Sequence, residues 1–419
     1  MTSDVSVAQG LLSHAASSAV SKSPAISVTA VPAKKARDLS IDYLRTTLTL
    51  MVVAHHSMLA YTTWASFDKE HVFRSTAPIV DGSRWIVFNY AENFNDVFFM
   101  SLMFFISGLF VYPAVRRHGA LNFARDRILR LGLPFAVAVC GFMPLALYPS
   151  WTLGDHSSGF TSFYGHIAHV GFQVGPPWFI WVLLFFDLVI ALMLLPGQEW
   201  LVGTEKLTRK LQSHSILAFG AMVVLSAIAY LPLLSRFGFS KWTVLLTSPF
   251  AFQQARIGLY ALWFVGGVLI GVPGISTGLL SRSGSLARGW KGWAVVCVIA
   301  YTALLILPKG LLHHGVTLTT SKGVEGVLWV FSCVSSCFAF LAFFRGLELR
   351  PSRLMDSLSR SAYVMYLVHY VFITWTQKSL MSLPVHASIK ASIVFFSTVA
   401  LSWLAAQLLI RIPGVKTIV

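Results

Sequence analysis

Arg45 and His56 lie eleven residues apart in one apolar run, IDYLRTTLTLMVVAHHSMLAYTTW, Ile41 to Trp64. A neutral imidazole suits the removal of a proton from a hydroxyl near neutral pH, as general-base catalysis of attack by that hydroxyl requires. A guanidinium, always charged, can hold a phosphate or pantetheine group, or stabilise charge developing on a carbonyl oxygen. The run is about as long as the path through a ~30 Å hydrocarbon core, where an ionisable side chain is costly and marks a functional site by default. At roughly 1.5 Å per residue the two side chains stand ~16 Å apart along a helix, about half a bilayer. His55 projects about 100° away from His56 on such a helix. Register with Arg45 favours His56 as the reactive histidine, and His55 reads as an interhelical hydrogen-bonding residue.

Other residues could serve the same chemistry. Arg127 and Arg130, three apart after the span that ends in FFISG (Phe104 to Gly108), share a face if their segment is helical and could clamp phosphates. The neighbouring Arg116 and Arg117 read more simply as topology and anionic-lipid contacts. Ser107 and Gly108 would let helices approach closely and leave a small hydroxyl near the arginines. Glu325 and Asp96, each near the other end of a span, could orient or polarise His56, or could be solvated boundary residues. Arg256, with Gln253 and Gln254, could line a hydrogen-bonding cleft, although snorkelling to the interface is the plainer reading. His369 has Tyr363 and Tyr366 on neighbouring turns and could be packing glue or part of a site. His166 and His169 lack an evident third ligand beyond His156, so no metal site is expected.

The elements that must position these groups follow from composition. The chain has 419 residues, 56% hydrophobic and 11% charged, with a mean hydropathy of +0.70. That is too apolar for a water-soluble domain of this size and implies an all-α polytopic membrane protein, a bundle of about ten transmembrane helices. Apolar runs place them near 41–64, 92–113, 131–149, 176–195, 215–235, 247–271, 292–308, 323–344, 361–378 and 388–411. Most of the 32 Lys and Arg fall in alternate connections, including Arg116 to Arg130, which puts both termini in the cytoplasm and accounts for the net charge of +16 without nucleic acid. Residues 1–37 read as a flexible cytoplasmic tail, 38–411 as the membrane domain and 412–419 as a short cytoplasmic tail. The four cysteines fall within spans and read as packing residues.

IDYLR with the spacing to His56, FFISG, RDRILRLGLP (Arg125 to Pro134), GPPWFIWVLL around Trp178, and LSRSAYVMYLVHYVF (Leu358 to Phe372) follow one another in an order that resembles the integral-membrane acyltransferase family 3, and within it the glucan biosynthesis protein C-like branch. The resemblance covers Arg37 to about Phe372. It implies transfer of an acyl group, commonly acetyl or succinyl, from cytoplasmic acyl-CoA to a hydroxyl of an extracytoplasmic glycan or related acceptor. It implies His56 as the catalytic base, with Arg45, Arg127 and Arg130 at the acyl donor, and Trp178 stacking on a sugar or walling an acyl tunnel, although an aromatic there could equally anchor the chain at the membrane interface. Acyl-CoA would be a co-substrate, with no permanently bound cofactor, in what is expected to be a bacterial inner membrane. A transporter or exporter of a glycan or acylated metabolite is the competing expectation, since intramembrane charges can also line a pathway.

Overall fold

The computed structural model describes residues 38–154, 159–197, 201, 203–204, 212–246 and 248–415. The tail expected over 1–37 lies outside the described residues, as do residues 416–419 of that expected over 412–419. Among the described residues ten helices overlap the ten expected spans: α1 Leu39–Leu59, α2 Ile86–Gly108, α3 Ala120–Trp151, α4 Trp178–Met193, α5 Ser215–Phe237, α6 Ile257–Gly271, α7 Trp290–His313, α8 Leu318–Gly346, α9 Arg353–Leu380 and α10 Ala387–Leu409. Seven of the helices are long and apolar enough to cross a membrane, and α4 is a shorter apolar helix. The chain is an all-α polytopic membrane protein. The sixth span starts later than its hydropathy suggests. Trp242–Val244 (β1) and Ala251–Gln253 (β2) form an antiparallel hairpin, pairing Thr243 with Phe252, and a single 3-10 turn leads from it into α6.

Helices α1, α2, α8 and α9 form the inner group. α1 packs against α2, α8, α9 and α10, and Leu44, Leu48 and Val53 on it are fully buried. α5, α7 and α10 are peripheral, exposing Ile216, Ile228, Val298, Ile299 and Phe396. Apolar side chains turned outward suit a hydrocarbon surrounding rather than water. α1 and α9 run parallel and are tied at both ends. Tyr43 Oη donates to Asp356 at one end (2.9 Å), and Gln377 Nε2 donates to the His56 carbonyl at the other (3.1 Å). The connection from α1 to α2 is fixed in turn by a buried ion pair, Lys390 Nζ to Asp81 Oδ2 at 2.7 Å.

α3 holds three prolines, each of which removes the amide that would bond the carbonyl four residues earlier. The chain widens into a π turn just before two of them, at Ile128–Gly132 and Ala138–Phe142. Side chains supply each missing donor. Tyr363 Oη reaches the Arg130 carbonyl opposite Pro134 (2.9 Å), Tyr164 Oη that of Cys140 opposite Pro144 (3.1 Å), and Trp375 Nε1 that of Leu145 opposite Pro149 (2.9 Å).

α2 and α6 touch through backbone. A Cβ added to Gly108, the last residue of FFISG, would overlap the Phe264 carbonyl oxygen, and one added to Gly267 would overlap that of Phe105. Gly267→Val must therefore push the helices apart and is expected to cost at least the ~1–3 kcal/mol of an overpacked core. Thermal unfolding in detergent checks this, and an unchanged midpoint would contradict the contact.

Candidate active site

A cavity of about 460 Å³ opens where α1 ends and α2 begins. One face of α1 contributes Val52, His55 and His56, and one face of α2 contributes Glu92, Asn93, Asp96, Phe99 and Met100. These residues recur at the three- and four-residue spacing that brings side chains together on a helix. Arg256 and Tyr260 enter from the start of α6, Trp178 from the start of α4, Tyr366 from α9, and Trp242 and Gln253 from the hairpin. Trp178 stands edge-on to Trp242, 5.7 Å between ring centroids, and packs on Tyr260 at 5.6 Å.

The histidines form a line of rings. His55 and His56 meet edge to face at 5.1 Å, and His56 lies 5.5 Å from His369 and 5.0 Å from Tyr370. His369, fully buried, has Nδ1 2.6 Å from the Tyr366 carbonyl oxygen. That contact needs a proton on Nδ1, since a carbonyl only accepts, and so leaves Nε2 with a lone pair. Tyr366 in turn donates its hydroxyl to the Pro176 carbonyl, closing α9 onto the turn before α4. Nδ1 of His56 is buried without a hydrogen-bond partner among the described residues.

The charged groups are paired in a way the sequence did not indicate. Arg256 is 1% exposed and does not snorkel: its two terminal nitrogens grip both carboxylate oxygens of Asp96 at 2.7 and 2.5 Å. The guanidinium also lies over the rings of Phe239 (4.5 Å) and Trp329 (5.1 Å), where ring quadrupoles favour a cation. Asp96 is thus committed to Arg256 rather than to a histidine. Glu92, one turn earlier on α2, has Oε1 3.7 Å from His55 Nε2. Its signal in the sequence is that Glu92 and Asp96 stand four apart and share a face of one apolar helix.

The remaining candidates lie elsewhere. Glu325 borders a different cavity of about 670 Å³ with Lys322 and Trp329, because the first turns of α8 lean on α5 rather than α1. It is not placed to orient His56. Arg45 is exposed on α1, 3.9 Å from Asp42, away from the cavity. Ser107 Oγ donates within its own helix to the Met103 carbonyl. Arg127 Nε lies 3.4 Å from Asp187 Oδ2 on α4. Tyr363 is drawn to the Arg130 carbonyl and does not line the cavity. Asp187, the single acid in WFIWVLLFFDLVIALM, went unremarked in the sequence, where a carboxylate inside an apolar run is itself the signal. Among the described residues no group of three His, Cys, Asp or Glu side chains gathers as metal ligands.

Residues 38–407 match the family model of the acyltransferase domain, Acyl_transf_3. The chain belongs to this acyltransferase family. Neither a curated protein nor a solved structure matches it. The match takes in the first nine helices of the acyltransferase and all but the last two residues of α10, so both the histidine cavity and the Arg127 turn lie within the matched domain.

The Asp96 and Arg256 pair is expected to govern stability. Asp96→Asn leaves a buried cation without its counter-charge and should cost about 3–5 kcal/mol, whereas the double change Asp96→Leu with Arg256→Met should recover much of the loss. Unfolding midpoints of the three proteins in detergent decide the matter; equal midpoints for wild type and Asp96→Asn would contradict it.

Proposed function

We propose that this membrane acyltransferase moves a short acyl group, acetyl or succinyl, from cytoplasmic acyl-CoA to a hydroxyl of an extracytoplasmic glycan or related acceptor, with His56 as general base. The observation that carries the reading is the pairing of two unlike stations on one helix. On α9, Tyr363 touches the Arg127 to Arg130 turn and His369 touches His56. Six residues of helix separate them, a rise of about 9 Å. An extended donor held by its phosphates at the arginines would need to cover little more than that rise to bring its thioester towards the histidine cavity.

A hydroxyl in the cavity gives its proton to a ring nitrogen of His56 as its oxygen bonds to the thioester carbonyl carbon; the carbon–sulfur bond then breaks and the proton passes to sulfur, leaving an ester and free CoA thiol. His56 suits the role because Nδ1 is unengaged among the described residues, while the His369 and Tyr370 rings hold its imidazole from one side. The Asp96 and Arg256 pair presents little net charge to the cavity. Glu92, beside His55, is the carboxylate available to accept a hydrogen bond from an acceptor hydroxyl. Indole faces at Trp178 and Trp242, with amide groups of Asn93 and Gln253, offer the mixed apolar and hydrogen-bonding walls that a sugar ring uses. Arg45, exposed near the start of α1 and away from the cavity, would serve the donor's charged portion rather than the reacting carbonyl.

Vesicles bearing the protein, supplied with radiolabelled acetyl-CoA or succinyl-CoA and surface glycans, test this. His56→Ala should lower transfer by about 10²–10⁴-fold, the contribution of a general base, with an unchanged unfolding midpoint. Undiminished transfer by that variant would refute the role of His56.

A further inference from the structure

We infer that Asp187 and Tyr363 are positioning residues for the acyl donor, which together hold the Arg127 to Arg130 turn in the shape that grips donor phosphates. This rests on the reading that those arginines bind acyl-CoA, and goes beyond it by naming what fixes them.

The turn has two reasons to be loose. Pro134 deprives the Arg130 carbonyl of its helical amide, and the π turn Ile128–Gly132 widens the backbone at the same place. Arginine side chains are also long and lose much rotamer freedom when they bind. Each looseness is met by one side chain from a neighbouring helix. Tyr363 Oη donates to the Arg130 carbonyl at 2.9 Å and fixes the backbone. Asp187 Oδ2 stands 3.4 Å from Arg127 Nε, and the Arg127 guanidinium also lies 4.9 Å over the Phe123 ring, which fixes the side chain. A carboxylate at Nε takes one edge of the planar guanidinium, which leaves the end-on pair of terminal nitrogens as the fork that takes a phosphate.

Asp187 is poorly explained as a stabilising residue. Its side chain is 2% exposed and Oδ1 has no hydrogen-bond partner among the described residues. A buried carboxylate oxygen left unsatisfied costs stability, and an anion beside a phosphate site would weaken binding by repulsion unless it served the arginine first. Holding Arg127 ready before the donor arrives reduces the ordering that binding would otherwise require, the general gain from preorganisation.

The structure supplies its own control. Tyr164 Oη caps the Cys140 carbonyl opposite Pro144 on the same helix, the same repair of the same defect, ten residues beyond Arg130. Tyr363→Phe, Asp187→Asn, Tyr164→Phe and Arg127→Gln would be compared in detergent for Kd of CoA by titration calorimetry, for KM and kcat with acetyl-CoA, and for unfolding midpoint. Tyr363→Phe and Asp187→Asn are expected to raise Kd and KM for the donor about tenfold, the effect of ~1.4 kcal/mol, with kcat nearly unchanged. Tyr164→Phe should lower the midpoint as Tyr363→Phe does and leave Kd alone. If Arg127→Gln weakens CoA binding while Tyr363→Phe and Asp187→Asn do not, or if Tyr164→Phe weakens it equally, the positioning role is overturned. If Arg127→Gln leaves CoA binding unchanged, the donor reading beneath it falls instead.

Discussion

Hydrocarbon offers no hydrogen bonds, so every polar group inside a membrane bundle must be answered by another part of the same chain. That single constraint organises this protein. It explains why three prolines in α3 face Tyr363, Tyr164 and Trp375, why Arg256 grips Asp96 with both arms, and why Lys390 reaches Asp81. Each repair joins segments distant in sequence, and the sum of them sets which helices adjoin. Apolar packing alone drives little association between helices in lipid, since the tails are as greasy as the side chains; close backbone approach at Gly108 and Gly267 adds dispersion contacts where that force is weak.

The site inherits its character from the same rule. His55, His56 and His369 can stand together as neutral rings at less cost than three charges, and the strongest cation in the cavity is neutralised in place by Asp96. What is left over is informative. Nδ1 of His56, Nε2 of His369 and Oδ1 of Asp187 are buried polar atoms whose partners are not supplied among the described residues. These three stand at the two places where substrate chemistry is proposed, although hydroxyl, indole and amide groups such as those of Ser226, Trp263, Ser335 and Thr398 are also open elsewhere among the described residues.

The number and position of the helices were legible because twenty-residue apolar runs have few alternative structures. His56, Trp178 and the Arg127 turn stood out through residue type and motif order. The hairpin was not legible, since Trp242–Val244 and Ala251–Gln253 are apolar enough to extend a helix and only their pairing with each other makes them strands. Partnership was not legible either. Nothing in the one-dimensional chain says that Asp96 belongs to Arg256 across 160 residues rather than to His56, or that Glu325 would face α5. Glu92 and Asp187 could have been found by asking of every acid in an apolar run what answers its charge.

The tethers on α1 have a consequence for traffic. Its far end is stapled to α9 through Gln377, and the connection that follows is locked to α10 through Lys390 and Asp81, so the histidines ride on a stator rather than on a rocking lever. Trp64 and Trp242, each 45% exposed at the rim of the cavity, stand on non-helical segments. The mouth of the cavity is thus built on connecting segments, while the histidines inside it are carried by a helix tied at both ends.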